Sequence, residues 1–160
     1  MPQSLLIEIP PGLTLALEAN AAALTAIRFH ASAGRGSDGE ASPLLLEAAS
    51  RIRAYFEGKL RVFDLPLDPS GTEFQKRVWA ELQKIPFGET RSYRDIACAL
   101  GSPNYVRAVG AANGANPLPI VIPCHRVIGA GGDLVGYGGG LELKKRLLEI
   151  EGRHVSALLF

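Results

Sequence analysis

The sequence predicts a mixed α+β (α/β) fold in two parts: a small antiparallel sheet with a helix, then a mostly helical region that holds a reactive cysteine. Three observations carry this reading. Residues 4–9, 13–18 and 23–29 ("SLLIEI", "LTLALE", "ALTAIRF") are short apolar segments divided by "PPG" and "NAA", the pattern of an antiparallel meander. Later segments place apolar residues three to four apart behind a Ser or Thr, the pattern of capped amphipathic helices. Between the two lies "EGKLRVFDLPLDPSG" (57–71) with three turn or breaker signals. Domains are therefore expected at 1–69, serving as structural support, and at 70–160.

Each element has its own justification. "AGRGSDGEAS" (33–42) has loop composition. Ser42 then caps a helix with Pro43 at its first position and Leu44, Leu45, Ala48, Ile52 and Phe56 as its buried stripe. Thr72 caps the next helix, whose face carries Phe74, Val78, Trp79 and Leu82, and "PFGE" stops it. Ser92 starts a short helix, "SYRDIACAL", closed by Gly101. After "GSP" comes a second helix, "NYVRAVGAANG". Two short helices joined by a tight Gly-containing turn fit a helix-turn-helix, and equally a helical hairpin that merely packs. "IVIP" (120–123) reads as a buried strand, "GAGGD" as a turn, "LVGYGGG" as a glycine-rich loop, and "LELKKRLLEIE" as a final amphipathic helix.

Composition bounds the function. With 160 residues, 47% hydrophobic and 21% charged, the chain suits a soluble globular protein that buries about 70% of its unfolded surface. Its apolar stretches are too short to span a bilayer, and no signal peptide is expected. Two cysteines form no disulfide framework, which points to a reducing compartment and a cytoplasmic location. Two Cys and three His scattered at 30, 98, 124, 125 and 154 do not build a zinc site, so no metal and no other cofactor is expected. The net charge of +1 hides an asymmetry of −2 over residues 1–70 and +3 over 71–160. A mildly basic C-terminal half permits a polyanionic partner without demanding one.

The chemistry concentrates in "IVIPCHRVIG" (120–129), where Cys124, His125 and Arg126 follow a proline. A buried thiol is inert unless a partner takes its proton, and an imidazole is the usual choice. His125 is adjacent, and neighbouring side chains of an extended segment diverge. A direct pair therefore needs the backbone to turn, whereas one bridging water would also solve the geometry. The imidazole needs an orienting acceptor in its turn, and Glu151, at the end of the last helix, could fold back to supply it. The competing reading is that Cys124 is a core thiol and His125 a surface residue.

"PCHRV", preceded by "ANGANPLPIVI" and followed by "GYGGGLELKKRLLEIEG", closely resembles the O6-alkylguanine-DNA alkyltransferases, or methylated-DNA–protein-cysteine methyltransferases. The match is strong from about Thr72 to Gly152 and looser before it, where the meander and "AYFEGKL" look similar. The resemblance implies single-turnover repair of double-stranded DNA by a monomer, with no membrane partner. A thiolate displaces the alkyl group from guanine O6, with O4-alkylthymine a second candidate substrate, and the protein is consumed. By resemblance Cys124 is the nucleophile, His125 the base acting through a water, and Glu151 the group holding the imidazole. Asn116 ties the helix-turn-helix to the active-site turn, while an ordinary Asn-Pro turn is its bland alternative.

The resemblance also implies that the target base leaves the stack, as enzymes acting on bases require. The second helix then lies in the minor groove, with Arg107 filling the vacated space and Tyr93 donating to the guanine ring. The backbone N–H of Gly138 serves O6, and Tyr137 and Pro119 wall the alkyl pocket. The carbonyls of Cys124 and Val127 accept from the exocyclic amine. Arg94, Ser102 and Ala130 join Tyr93 and Arg107 among the DNA-contacting positions. The chain departs from the family in Tyr105 and Val106, where small residues usually precede the arginine. Arg126 is expected to bond to the preceding turn, and Cys98 to pack within its helix.

Three rivals remain at this point. A non-reactive module that binds alkylated bases is disfavoured by the presence of Cys124. A Cys-His hydrolase is disfavoured by the adjacency of the pair. A regulator would carry a transcription-factor domain, which is not expected here.

Overall fold

The computed structural model describes residues 3–29, 41–129, 137 and 139–152, and the chain divides into two compact units, residues 1–70 and 71–160. The mixed α+β class expected from the sequence holds. In the first unit β1 (Gln3–Ile9), β2 (Leu13–Ala19) and β3 (Leu24–Phe29) form an antiparallel sheet in the order β1-β2-β3. Leu5 faces Leu17 and Ile7 faces Leu15 across the first pair. The β1–β2 turn needs Gly12, whose φ is +69°. Asn20 shapes the next turn, its Oδ1 accepting from the backbone N–H of Ala22 and Ala23, both at 2.8 Å.

Helix α1 (Pro43–Phe56) begins where expected, with Ser42 Oγ accepting from Leu45 N at 3.3 Å. Its buried stripe is Leu45, Ala48, Ala49, Ile52 and Tyr55, which corrects two expected members, Leu44 and Phe56, both half-buried. Tyr55 lies three residues on from Ile52 and is fully buried with its ring 5.3 Å from that of Phe63, so it takes the inward place assigned to its neighbour. Residues 33–40 of the expected loop lie outside the described residues. The chain leaving α1 returns along β3, Leu24 N donating to Pro66 O and Asp68 N to Leu24 O, each at 2.9 Å.

In the second unit α2 (Glu73–Leu82) starts with a capping box between Thr72 and Gln75, and buries Val78, Trp79 and Leu82. Phe74 is only half-buried, its ring edge-on to Tyr105 at 5.7 Å. A second capping box, Ser92 with Asp95, opens α3 (Tyr93–Ala99). The chain then turns at Gly101 (φ +123°), runs one 3₁₀ turn over Pro103–Tyr105, and enters α4 (Val106–Gly114). The expected helix from Asn104 is thus 3₁₀ at its start, since Ser102 Oγ accepts from Asn104 N and winds the entry tightly. Trp79 Nε1 donates to Ala112 O at 2.9 Å and locks α2 to α4. Helix α5 (Leu141–Ile150) closes the unit with Leu143, Lys144, Leu147 and Leu148 buried.

The largest correction concerns "IVIP". It is no strand but a buried succession of turns, with Ile120 at φ +75° and Leu118, Ile120 and Ile122 fully buried. Asn116 causes this. Its Oδ1 accepts from Leu118 N at 2.9 Å, its Nδ2 donates to Ile122 O at 2.8 Å, and Ile122 N returns to Leu118 O. Those bonds replace a strand's ladder. The short strand lies just beyond the cysteine: β5 (Val127–Ile128) pairs in parallel with β4 (Arg91–Ser92). Among the described residues no helix is long and apolar enough to cross a membrane.

Candidate active site

The Asn116-wound turn delivers Cys124 into one 3₁₀ turn, Cys124–Arg126, in which all three side chains are buried. The backbone therefore does turn at this point. Arg126 N donates to Pro123 O at 3.0 Å, and the Val127 N–H closes the turn on Cys124 O. Pairing of β5 with β4 carries this turn to the head of α3, where Tyr93 is the first helical residue.

His125 Nε2 lies 2.7 Å from Glu151 Oε2, with both side chains fully buried. Glu151 is held from three more directions. Arg126 donates Nε to Oε1 at 2.8 Å and Nη2 to Oε2 at 3.1 Å, and Gly88 N donates to Oε1 at 3.3 Å. Arg126 also gives Nη1 to Ile85 O at 2.7 Å, with its guanidinium 5.8 Å from the Phe87 ring centre. The expectation that Arg126 bonds the preceding turn holds for its backbone N–H on Pro123 O, whereas its side chain reaches elsewhere. The side chain's partners are the Ile85 carbonyl, the Phe87 ring and Glu151, and the paired carboxylate makes a buried guanidinium tolerable.

Burial sets the electrostatics. It pushes the Cys124 thiol above its ordinary value, against hydrogen bonds from Asn116 and Tyr137 and the charge of Lys144. It holds His125 below its ordinary value, although Glu151 pulls the other way. It raises the Tyr93 phenol, as does the nearby Cys124, while a hydrogen bond with Asn113 opposes. A neutral imidazole beside a protonated thiol is the ground state these shifts describe.

Two members of the cluster were not expected. Lys144 is fully buried, donates Nζ to Val127 O at 2.8 Å, and has its ammonium lowered to about 8 by burial, with Cys124 opposing. A signal for it exists: Lys144, Leu147, Leu148 and Glu151 follow helical spacing on one face. Asn113 is also buried, with Nδ2 3.5 Å from Cys124 O. Among the expected residues, Cys124, His125, Glu151, Asn116, Tyr93 and Tyr137 come together, with Val127 following in β5. Pro119 is buried in the preceding turn. Arg94 and Arg107 are exposed on α3 and α4, and Ser102 is spent as a cap. Gly138 and Ala130 lie outside the described residues. Cys98 does not pack: α3 turns Ile96 and Ala97 inward and leaves Cys98 exposed.

A deeply buried thiol, an imidazole–carboxylate pair behind it and two short helices joined through a glycine define a cysteine-nucleophile protein built on a helix-turn-helix frame. A family model described as the DNA-binding domain of 6-O-methylguanine DNA methyltransferase matches residues 73–153. The methylated-DNA–protein-cysteine methyltransferase of Mycolicibacterium paratuberculosis is 59% identical over 112 residues, 70% of this chain and 68% of its own length. The OGT protein of Mycobacterium tuberculosis, solved in complex with DNA, is 48% identical with TM-score 0.82, covering 91% of this chain and 90% of that one. The O6-methylguanine methyltransferase of the same organism is 44% identical with TM-score 0.81, covering 99% and 98%. This chain belongs to the O6-methylguanine-DNA methyltransferase family.

Proposed function

We propose that this protein repairs DNA by direct reversal, moving the alkyl group of O6-alkylguanine onto Cys124 irreversibly and once per molecule. The carrying observation is the buried Cys124–His125–Glu151 cluster on the second unit. The Cys124 thiol gives its proton through a water to His125 Nδ1. The imidazolium that forms is stabilised by Glu151, whose place Arg126 and Gly88 fix. The sulfur attacks the alkyl carbon, the carbon–O6 bond breaks, and its electron pair passes to guanine. Tyr93 donates to N3 as that charge grows. The product is a thioether, which water does not cleave.

Several features support the remaining roles. Lys144 lies close enough to Cys124 for its charge to favour the thiolate. Asn116 both winds the turn and hydrogen-bonds the thiol. Arg107, exposed in the first turn of α4, fills the gap left by the turned-out base, with Arg94 alongside for the backbone. Residues 1–69 act as a supporting unit. A nucleophile that must stay reduced, with both cysteines free, suits a cytoplasmic protein.

Cys124→Ser tests the assignment. The variant should bind alkylated DNA as the unaltered protein does but take up no alkyl group, because a hydroxyl is a far poorer nucleophile. Cys98→Ser should transfer normally. Transfer that survives in Cys124→Ser would overturn the proposal.

A further inference from the structure

Tyr105 is where the chain departs from its family, and the reaction proposed above leaves it without a role. It is 40% exposed and immediately precedes α4. Its ring is nonetheless held in place. The Phe74 ring of α2 meets it edge-on with centroids 5.7 Å apart. It also passes so close to Gly101 that a Cβ there would lie 3.8 Å from Tyr105 Cε2. Tyr105 stands four and seven residues before Val109 and Ala112, two buried residues of α4, and so continues their line. Arg107, two residues on, does not share that line. The ring thus stands at the flank of α4, away from the Arg107 side.

What the ring offers there is its hydroxyl, which bonds to none of the described residues and is a ready donor. Positive charge is placed at the same turn. Arg77 Nη2 donates to the carbonyl of Leu100, the residue before Gly101, at 3.1 Å. A duplex that receives α4 in one groove brings the phosphates of that groove's edge past the flank of the helix. Tyrosine hydroxyls are among the donors such phosphates accept from. Because the ring is already ordered, the bond costs little side-chain freedom. We infer that the Tyr105 hydroxyl donates to a backbone phosphate of the duplex, with Arg77 supplying charge at the same turn. The contact adds grip that is independent of base sequence. The inference rests on the proposed action on duplex DNA and adds a binding residue to it.

Tyr105→Phe removes the hydroxyl and keeps the ring on Phe74. Binding is read with Cys124→Ser protein, with and without that change, on an O6-methylguanine duplex and an undamaged duplex of the same sequence. Tyr105→Phe should weaken both complexes by the same factor, about ten-fold, the scale of one hydrogen bond to a charged acceptor. The slope of log Kd against log salt should stay the same, because a neutral phenol releases no counterion. In duplexes whose phosphates are replaced one at a time by uncharged methylphosphonate, the two losses should fail to add at one position and add at the others. Equal binding with and without the hydroxyl would overturn the inference. So would a loss confined to the lesion duplex, which would move the contact to the base. A lower thermal midpoint in Tyr105→Phe, with losses that add at every phosphate, would overturn it by assigning the hydroxyl to the fold. Each of these leaves the proposed function standing. Failure of the Cys124→Ser protein with Tyr105 intact to bind either duplex would instead bring down that function, and this inference with it.

Discussion

At the scale of single residues the site is a contest between burial and charge. His125 shows it best, because burial depresses its proton affinity while Glu151 raises it, and burial wins. The unfolded chain then binds the proton first as pH falls. Stability contributed by the neutral imidazole is complete above about pH 6.5, the ordinary histidine value, and is lost as pH drops through the lower folded value. The urea midpoint should therefore fall more steeply between about pH 7 and pH 5 in the unaltered protein than in His125→Gln. Equal slopes would contradict that reading. In transfer assays His125→Ala should be slower by roughly 10²–10⁴-fold, the range for loss of a general base. Glu151→Gln should also slow transfer, while DNA binding is retained in both. Residues such as Cys124 and His125 were legible because their types are rare and chemically loaded. Lys144 and Asn113 were not, since Lys on a helix reads as solvated and a buried Asn shows itself only through a partner 11 residues away, the Cys124 carbonyl.

Elements were legible to the extent that their causes are local. Ser42, Thr72 and Ser92 cap their helices because a hydroxyl three residues ahead of a backbone N–H is a short-range signal. The "IVIP" segment failed because a buried strand and a buried turn share one apolar signature. What separates them is the Asn116 side chain, which bonds across six residues to Ile122. The helix-turn-helix adds a feature of this chain's own. Tyr105 (40% exposed) and Val106 (37%) are the large exposed hydrophobics of the second unit among the described residues, and they directly precede Arg107. The Phe74 ring braces Tyr105 edge-on. Unstacking a base costs a few kcal/mol, part of which an inserted side chain offsets. Arg107→Ala should thus slow reaction with duplex O6-methylguanine by about ten-fold or more and leave reaction with the free base nearly unchanged. If Tyr105 shares the wedge, the duplex defect grows in the Arg107→Ala, Tyr105→Ala double variant. Equal losses on duplex and free base would assign Arg107 to the fold instead.

On the scale of the whole molecule, the chemistry sits in the second unit and the first has a core of its own. Ile52 is fully buried in α1 within that first core. Ile52→Ala should cost about 2–5 kcal/mol, the usual range for emptying such a site, and lower the thermal midpoint. Below that midpoint the transfer rate per folded molecule should not change if residues 1–69 only support. A slower rate in fully folded Ile52→Ala would give the first unit a part in the reaction.

The central claim is that Cys124 accepts one alkyl group and keeps it. Titration of the protein with O6-methylguanine duplex DNA, read by intact mass and then by peptide mapping, tests this most directly. The protein should gain one methyl group per chain, located on Cys124, with the gain stopping at one equivalent of lesion and none on Cys98. Repeated turnover, no gain in mass, or a methyl group found on another residue would contradict it.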